Sequence, residues 1–205
     1  MIDLYTWGTP NGKKVSIALE ELGLPFKVHP IDITKNEQFD ERFLALNPNN
    51  KIPVIVDPDG PQGREITLFE SGAILIYLAD KTGKLLPPSG LGRYLTIQWL
   101  MFQMGGIGPM FGQTHHFRRY ATDQTYGLER YTKETHRLYR VLDGRLGRSD
   151  FIAGNEYSIA DIAIYPWVAR FELHQLRWEE VPNVMRWYKA VGSRPAVKRG
   201  MEILA

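Results

Sequence analysis

A segment rich in glycine and proline divides this chain of 205 residues into two parts with different hydrophobic patterns. The segment, GKLLPPSGLG over residues 83–92, holds three glycines and two prolines, a composition that ends regular elements and commonly connects domains. Strand-like and helix-like patterns alternate before it, whereas the patterns after it are helical only. We therefore predict an α/β domain over residues 1–83, a linker over 84–92 and an all-helical domain over 93–205.

The amino-terminal part begins with a strand, a loop and a helix. Residues 2–5 predict a short strand, and the sequence GTPNG at 8–12 breaks it and leads into a helix. Further strands are predicted over 26–33, 52–56 and 66–69, with a polar helical stretch over 36–46. The turn DPDG at 57–60 indicates that the last two strands are antiparallel neighbours, and another helix is predicted from Ser71.

A long amphipathic helix and a capping box are the clearest features of the second part. Apolar and aromatic residues recur at helical spacing from Leu128 to Leu146. Ser158 and Asp161 have the spacing of a capping box, and the apolar run over 162–168 that follows predicts a buried helix. A cap, whose loss costs about 1 kcal/mol, explains these residues without any chemistry.

Charge, cysteine content and hydropathy exclude several classes of function. Twenty-five basic and 23 acidic side chains leave a formal charge of +2, which is too small for a nucleic-acid footprint. The chain contains no cysteine, so any thiol chemistry must use the sulfur of a ligand. No run approaches the roughly 20 apolar residues that span a bilayer, and residues 1–7 lack the pattern of a secretory leader. We expect a soluble, cytoplasmic protein without a nucleic-acid or membrane partner.

Two clusters in the helical part are not expected to hold a cofactor. His115 and His116 are adjacent and have no acidic or histidine partner at a spacing of three or four residues, so we predict no metal site there. The glycines at 105, 106, 108 and 112 have no preceding strand and lack the Lys-Ser/Thr ending of a phosphate loop. These glycines favour close helix contact or a kink.

Several short motifs occur in an order that resembles a known family. They are TPNG at 9–12, QF at 38–39, PNNKIP at 48–53, LFESGAI at 68–74, GGIGPM at 105–110, HHF at 115–117, ERY at 129–131 and SIADIA at 158–163. With these motifs the chain resembles the cytosolic glutathione transferases over nearly its whole length. It is most similar to the bacterial nu-class disulfide-bond reductases, which are related to the yeast nitrogen regulator of the same fold. The resemblance implies a thioredoxin-like, glutathione-binding first domain, a helical glutathione-transferase second domain and a homodimer.

The resemblance also implies where glutathione binds. It implies a cis bond between Ile52 and Pro53, which would let the Ile52 backbone pair with an extended tripeptide; the alternative is a trans proline that merely starts a strand. Glu70 and Ser71 precede a predicted helix, whose free amides favour a carboxylate, although an ordinary N-cap beside a surface glutamate also explains them. The remaining glutathione contacts implied are Gln38, Lys51 and, from the helical domain, Arg130, which by itself fits a solvated helix charge.

Thr9 and Asn11 are the candidate catalytic residues, because they stand where the first helix begins and can donate to the glutathione sulfur. Plain turn and capping chemistry explains them as well. Tyr5 and Ser16 are weaker candidates, since Tyr5 lies inside the predicted strand and Ser16 inside the helix.

We predict a glutathione-dependent disulfide-bond oxidoreductase that uses bound glutathione as the attacking thiol on small or glutathione-mixed disulfides. Two alternatives stay open at this stage. One is a transferase that conjugates glutathione to an electrophilic second substrate. The other is a non-enzymatic protein that binds glutathione or glutathione disulfide for regulation.

Overall fold

A four-stranded mixed sheet forms the centre of the amino-terminal unit. The computed structural model describes residues 1–205, and the strands are β1 (Ile2–Thr6), β2 (Phe26–Pro30), β3 (Val54–Asp57) and β4 (Ile66–Phe69). Their order in the sheet is β2-β1-β3-β4, with β1 parallel to β2 and β3 antiparallel to both β1 and β4. The predicted antiparallel pair and the thioredoxin-like sheet are confirmed.

The helices of this unit are α1 (Pro10–Leu22), α2 (Glu41–Leu46), α3 (Ser71–Thr82) and α9 (Pro195–Glu202). Thr9 caps α1 by accepting a hydrogen bond from the Gly12 amide at 3.2 Å, and Gly23 ends the helix in the left-handed region at a φ of 66°. Helix α1 packs against α3 and α9. Its apolar residues Val15, Ile17 and Leu19 are fully buried.

The segment between β2 and α2 is less regular than its pattern predicts. Strand β2 ends at Pro30, and the Asp32 carboxylate then accepts hydrogen bonds from both the amide and the hydroxyl of Thr34. These bonds fix a 3₁₀ turn over Ile33–Lys35 where a continued strand was expected. The expected helical stretch over 36–46 divides into a 3₁₀ turn and the short helix α2.

The carboxyl-terminal helix α9 belongs to the first unit, not to the helical one. Residues Met1–Lys84 and Arg194–Ala205 form one compact unit, and residues Leu85–Ser193 form the second. The sequence pattern had instead predicted a single helical domain over 93–205. The ammonium of Lys13 donates to the carbonyls of Met201 and Ile203, both at 2.6 Å. The Arg194 guanidinium forms a two-pronged pair with the Glu21 carboxylate. Polar bonds to α1 therefore hold α9 in this unit.

The second unit is helical throughout. Its helices are α4 (Gly90–Phe102), α5 (Gly108–Tyr120), α6 (Thr125–Leu146), α7 (Ile159–Val168) and α8 (Pro182–Gly192). A π-helical turn over Gln103–Ile107 joins α4 to α5. A Cβ at Gly108 would lie 2.8 Å from the side-chain Nε2 of Gln103. The glycine therefore permits the close approach of this side chain, in line with the close contact that the glycine motif predicted. No helix of the protein combines the length and the apolar character needed to cross a membrane.

The capping box of α7 is present, and it anchors the core of the helical unit. The Asp161 carboxylate accepts hydrogen bonds from the Ser158 amide, the Ile152 amide and the Trp187 indole at 2.8–3.0 Å. Burial raises the pKa of Asp161, and these donors oppose that effect. Every residue of α7 is buried, so the predicted buried helix is confirmed.

We predict that Gly200→Ala destabilises the protein. A Cβ at this position would lie 2.6 Å from the Ile17 Cα and 2.7 Å from its nitrogen, so α9 would have to move away from α1. We expect the free energy of unfolding, measured by denaturant titration, to fall by about 2 kcal/mol.

The matched control is Gly144→Ala in α6, where the new Cβ would meet nothing within 4 Å. Alanine favours the helix at such a position, so we expect unchanged or higher stability. Equal stability of both variants would contradict the close contact between α1 and α9.

Candidate functional site

Three chain segments of the first unit meet at one small pocket. They are the first turn of α1, the loop that leads into β3 and the entrance of α3. The pocket offers about 60 Å³ to water-sized molecules, which suits a polar head group better than a whole tripeptide. The residues that line it are Asn11, Asn47, Lys51, Ile52, Pro53, Glu70 and Ser71. Six residues singled out in the sequence are therefore brought together, and Asn47 is added.

The bond between Ile52 and Pro53 is cis, as the resemblance implied. Pro53 is buried and immediately precedes β3, whose first residue, Val54, pairs with Tyr5 of β1. No backbone hydrogen bond engages the amide or carbonyl of Ile52. The amide and carbonyl of Ile52 can therefore pair with an added strand.

Asn47 holds the loop before the cis bond, and the sequence reasoning missed it. Its side chain donates to the Lys51 carbonyl at 2.7 Å and accepts from the Asn49 amide at 2.9 Å. The residue is only 2% exposed, so these bonds are shielded from bulk water. The run of asparagines and proline at 47–50 was the available indication, because asparagine commonly bonds to backbone two residues on.

The entrance of α3 combines a carboxylate with an electropositive helix end. Ser71 is the first residue of the helix, and Glu70 occupies the cap position without a side-chain capping bond. The alternative of Ser71 as an ordinary N-cap is therefore wrong. Glu70 has a φ of 68°, and its side chain is exposed beside the pocket. The free amides of the first turn favour an anion, and the Glu70 carboxylate favours a cation.

Lys14 lies beside this entrance and was also missed in the sequence. Its ammonium donates to the Ser71 hydroxyl oxygen at 3.3 Å, and the residue is 1% exposed. Burial lowers the pKa of Lys14 to about 7, while the Glu70 carboxylate acts in the opposite direction. A charged residue at a core-facing position of α1 was the available indication.

Thr9 and Asn11 stand at the beginning of α1. Because the Thr9 hydroxyl oxygen accepts from the Gly12 amide, its own proton can be donated to another group. Asn11 lines the pocket, whereas Thr9 does not. The two candidate catalytic residues therefore occupy neighbouring positions of one helix end, and one of them faces the pocket.

The two weaker candidates are engaged elsewhere. Ser16 is buried and donates its hydroxyl proton to the Gly200 carbonyl at 2.7 Å. Tyr5 stacks on His29 with the ring centroids 4.6 Å apart, and burial together with Asp3 and Glu65 raises its pKa. Neither residue lines the pocket.

Two predicted glutathione contacts are not among the residues that line this pocket. Gln38 lies in the 3₁₀ turn Glu37–Phe39, and its buried Oε1 has no hydrogen-bond partner. Arg130 lies on α6 in the helical unit, where it lines a separate pocket of about 560 Å³. The other cations of that pocket are Lys133, Arg137 and Arg140.

The histidines of the helical unit form a hydrogen-bonded chain. His115 and His174 meet through their Nε2 atoms at 2.7 Å, and the Tyr139 hydroxyl lies 2.7 Å from the other His174 nitrogen. Burial lowers the pKa of His115 to about 4 and that of His174 to about 2, so both rings are neutral near pH 7. His116, by contrast, is exposed. The paired rings satisfy each other's polar atoms in the core of this unit.

Comparison with known proteins gives the same family for both units. The family model described as the glutathione S-transferase N-terminal domain matches residues 9–81, and the model of the glutathione S-transferase C-terminal domain matches residues 125–190. A similar curated protein is the disulfide-bond oxidoreductase YfcG of Escherichia coli strain K12. It is 48% identical over 204 residues, which cover 98% of this chain and 94% of that protein.

Two crystal structures of bacterial proteins are similar over nearly the whole chain. A glutathione transferase family member from Pseudomonas fluorescens, with two glutathione bound, has a TM-score of 0.93 and 50% identity, covering 98% of this chain and 92% of its own. A glutathione transferase from Pseudomonas putida, with one glutathione disulfide bound per subunit, has a TM-score of 0.94 and 46% identity. The match covers 100% of this chain and 92% of that one.

Proposed function

The chain belongs to the glutathione S-transferase family, and on that premise we propose that it is a glutathione-dependent disulfide-bond oxidoreductase. Its substrates are small disulfides or mixed disulfides of glutathione. The observation that carries the proposal is the pocket where Asn11, the cis Ile52–Pro53 bond and Ser71 meet, in a chain without cysteine. The relative named a disulfide-bond oxidoreductase and the similar structures with glutathione or glutathione disulfide bound support it.

The pocket fits the γ-glutamyl end of glutathione, which carries one carboxylate and one ammonium. The Ser71 hydroxyl and the first amides of α3 receive the carboxylate, and the Glu70 carboxylate receives the ammonium. The Ile52 backbone pairs with the cysteinyl unit in the manner of an added strand. The residues proposed for the remaining polar groups of glutathione are Gln38, Lys51 and Arg130.

The glutathione sulfur is activated at the beginning of α1. An ordinary thiol has a pKa of about 8.5 and is mostly protonated at neutral pH. The Thr9 hydroxyl and the Asn11 amide donate to the sulfur and favour the thiolate. Each unit by which its pKa falls corresponds to ~1.4 kcal/mol of preferential stabilisation of that thiolate.

The reaction consists of two thiol–disulfide exchanges. The bound glutathione thiolate attacks one sulfur of the substrate disulfide, so that a new S–S bond forms while the old one breaks, and the departing thiolate takes up a proton. A second glutathione thiolate then attacks the glutathione sulfur of the mixed disulfide. Glutathione disulfide and a second substrate thiol are released, so two glutathione molecules supply the two electrons that reduce the substrate.

Purified protein is expected to accelerate the reduction of a small disulfide by glutathione well beyond the uncatalysed exchange. Glutathione disulfide is measured by a coupled reductase, and conjugation to an aryl halide is assayed in parallel. Conjugation that far exceeds disulfide reduction would favour the transferase alternative. Tight glutathione binding without either turnover would favour the regulatory one.

Asn11→Ala and Ser71→Ala are expected to separate chemistry from binding. Asn11→Ala removes a donor to the sulfur and should lower kcat by about tenfold or more, with little change in unfolding free energy. Ser71→Ala removes a donor to the carboxylate and should raise the glutathione Kd by about tenfold. Steady-state kinetics and calorimetric titration measure the two effects. Wild-type kinetics in both variants would show that the site lies elsewhere.

The proposed enzyme is a homodimer. Leu91, Tyr94 and Met101 of α4 share one helix face and are 75%, 71% and 46% exposed, which favours a covered apolar surface. Sedimentation velocity should give a dimer for the wild type, and Leu91→Glu combined with Tyr94→Glu should shift it toward monomer. A monomeric wild type would contradict this assignment. A cytoplasmic location stays a prediction of the sequence.

A further inference from the structure

Asn47 is a buried residue that connects the end of α2 to the backbone beside the proposed glutathione site. Its backbone amide donates to the carbonyl of the buried Phe43 at 2.9 Å. Its side chain accepts from the Asn49 amide at 2.9 Å and donates to the Lys51 carbonyl at 2.7 Å. One side chain therefore fixes the loop over residues 47–51 to a helix that is anchored in the core.

The Lys51 carbonyl belongs to the same peptide group as the Ile52 amide. This peptide is trans and planar, so its C=O and its N–H point in opposite directions. Because the Asn47 side chain holds the carbonyl, the Ile52 amide is directed away from Asn47. No backbone carbonyl accepts a hydrogen bond from this amide, and Ile52 lines the pocket.

We propose that Asn47 is a positioning residue of this site, which orients the Ile52 amide to donate to the cysteinyl carbonyl of glutathione. The inference rests on the proposed function, because it assigns a role toward the same ligand. Asn47 acts through the peptide between Lys51 and Ile52 and touches no reacting atom. It acts on affinity, because a donor that is held in place before binding loses less conformational entropy when the ligand arrives.

The alternative is that Asn47 only ends α2. The backbone already provides a turn at that end, because the Asn50 amide donates to the Asn47 carbonyl at 3.0 Å. The side-chain bond to Lys51 instead fixes the peptide whose amide is left for a ligand. Without that bond the peptide could rotate and turn its carbonyl oxygen toward the ligand, where two acceptors would meet.

The decisive variant is Asn47→Ala, which removes the donor to the Lys51 carbonyl. We expect the glutathione Kd, measured calorimetrically, to rise about tenfold. The unfolding midpoint should fall as well, because the loop loses two hydrogen bonds. Wild-type affinity for glutathione in this variant would overturn the inference.

Three ligands separate the positioning role from a general loss of structure. Glutathione and γ-glutamylcysteine both carry an acceptor oxygen on the cysteinyl unit, whereas γ-glutamylcysteamine has none there. Asn47→Ala should therefore raise the Kd of the first two ligands by about tenfold and that of γ-glutamylcysteamine by less than about twofold. An equal loss for all three ligands would show that Asn47 does not act through the Ile52 amide.

Two further variants serve as controls. Asn49→Ala changes an exposed side chain and keeps the backbone amide that donates to Asn47, so we expect the wild-type Kd. Asn47→Asp keeps the acceptor for that amide and loses the donor to the Lys51 carbonyl, so its Kd should rise as in Asn47→Ala. Wild-type affinity in Asn47→Asp would contradict the inference. No glutathione binding by the wild-type protein would instead refute the proposed function.

Hydrogen exchange of the wild-type protein, followed by NMR, provides a test that does not need a folded variant. Saturation with glutathione should slow exchange of the Ile52 amide by about tenfold or more, and saturation with γ-glutamylcysteamine should not. The side-chain amide of Asn47 should already be protected in the free protein, because it holds the Lys51 carbonyl before the ligand binds. An Ile52 amide that glutathione leaves unprotected, or a freely exchanging Asn47 side chain in the free protein, would overturn the inference.

Discussion

The burial of α1 on two sides is the constraint on which most of the first unit depends. Its polar residues point in two directions. Asn11 and Lys14 are directed to the pocket at α3, whereas Lys13 and Ser16 bond to the carbonyls of α9 and the residues after it. One helix of 13 residues therefore fixes both the site and the carboxyl terminus. Because it cannot move toward one neighbour without leaving the other, the pocket has a rigid wall.

The two units differ in how their buried polar groups are hydrogen-bonded. In the helical unit the His115–His174 pair and the Asp161 carboxylate are satisfied by their own neighbours, so they specify packing and leave nothing for a ligand. In the first unit, the Ile52 backbone keeps bonding capacity, and Ile52 lines the pocket. This difference favours the first unit as the place where a small polar molecule is held.

Local patterns predicted most of the regular structure. The four strands, the presence of α1 and the capping box of α7 follow from periodicity, turn residues and caps, which act over a few residues, although α1 begins at Pro10, inside the predicted loop. The cis bond at Pro53 and the identity of the ligand came from the resemblance, because short spacing alone does not distinguish a cis proline from a trans one. Of the predicted site residues, the pocket gathers those on neighbouring loops and leaves Thr9, Gln38 and Arg130 outside its lining.

What the pattern could not predict depends on contacts distant in sequence. Nothing in the amphipathic pattern of α9 says which apolar surface it covers, and its place beside α1 depends on the close contact at Gly200. The sequence analysis did not single out Lys14, because its burial depends on neighbours that are distant in sequence. The role of Asn47 likewise becomes clear only from its hydrogen bond to the Lys51 carbonyl, which fixes the loop before β3.

The pairing of Lys13 with carbonyls near residue 203 links the two ends of the sequence. During synthesis on a ribosome, the first 84 residues emerge long before the segment that completes their packing. The entire helical unit must be made in between, so one flank of α1 stays uncovered throughout that interval. The packing of α1 is therefore completed only after residues 194–205 have been made, so the last helix of the first unit has to return to a segment synthesised much earlier.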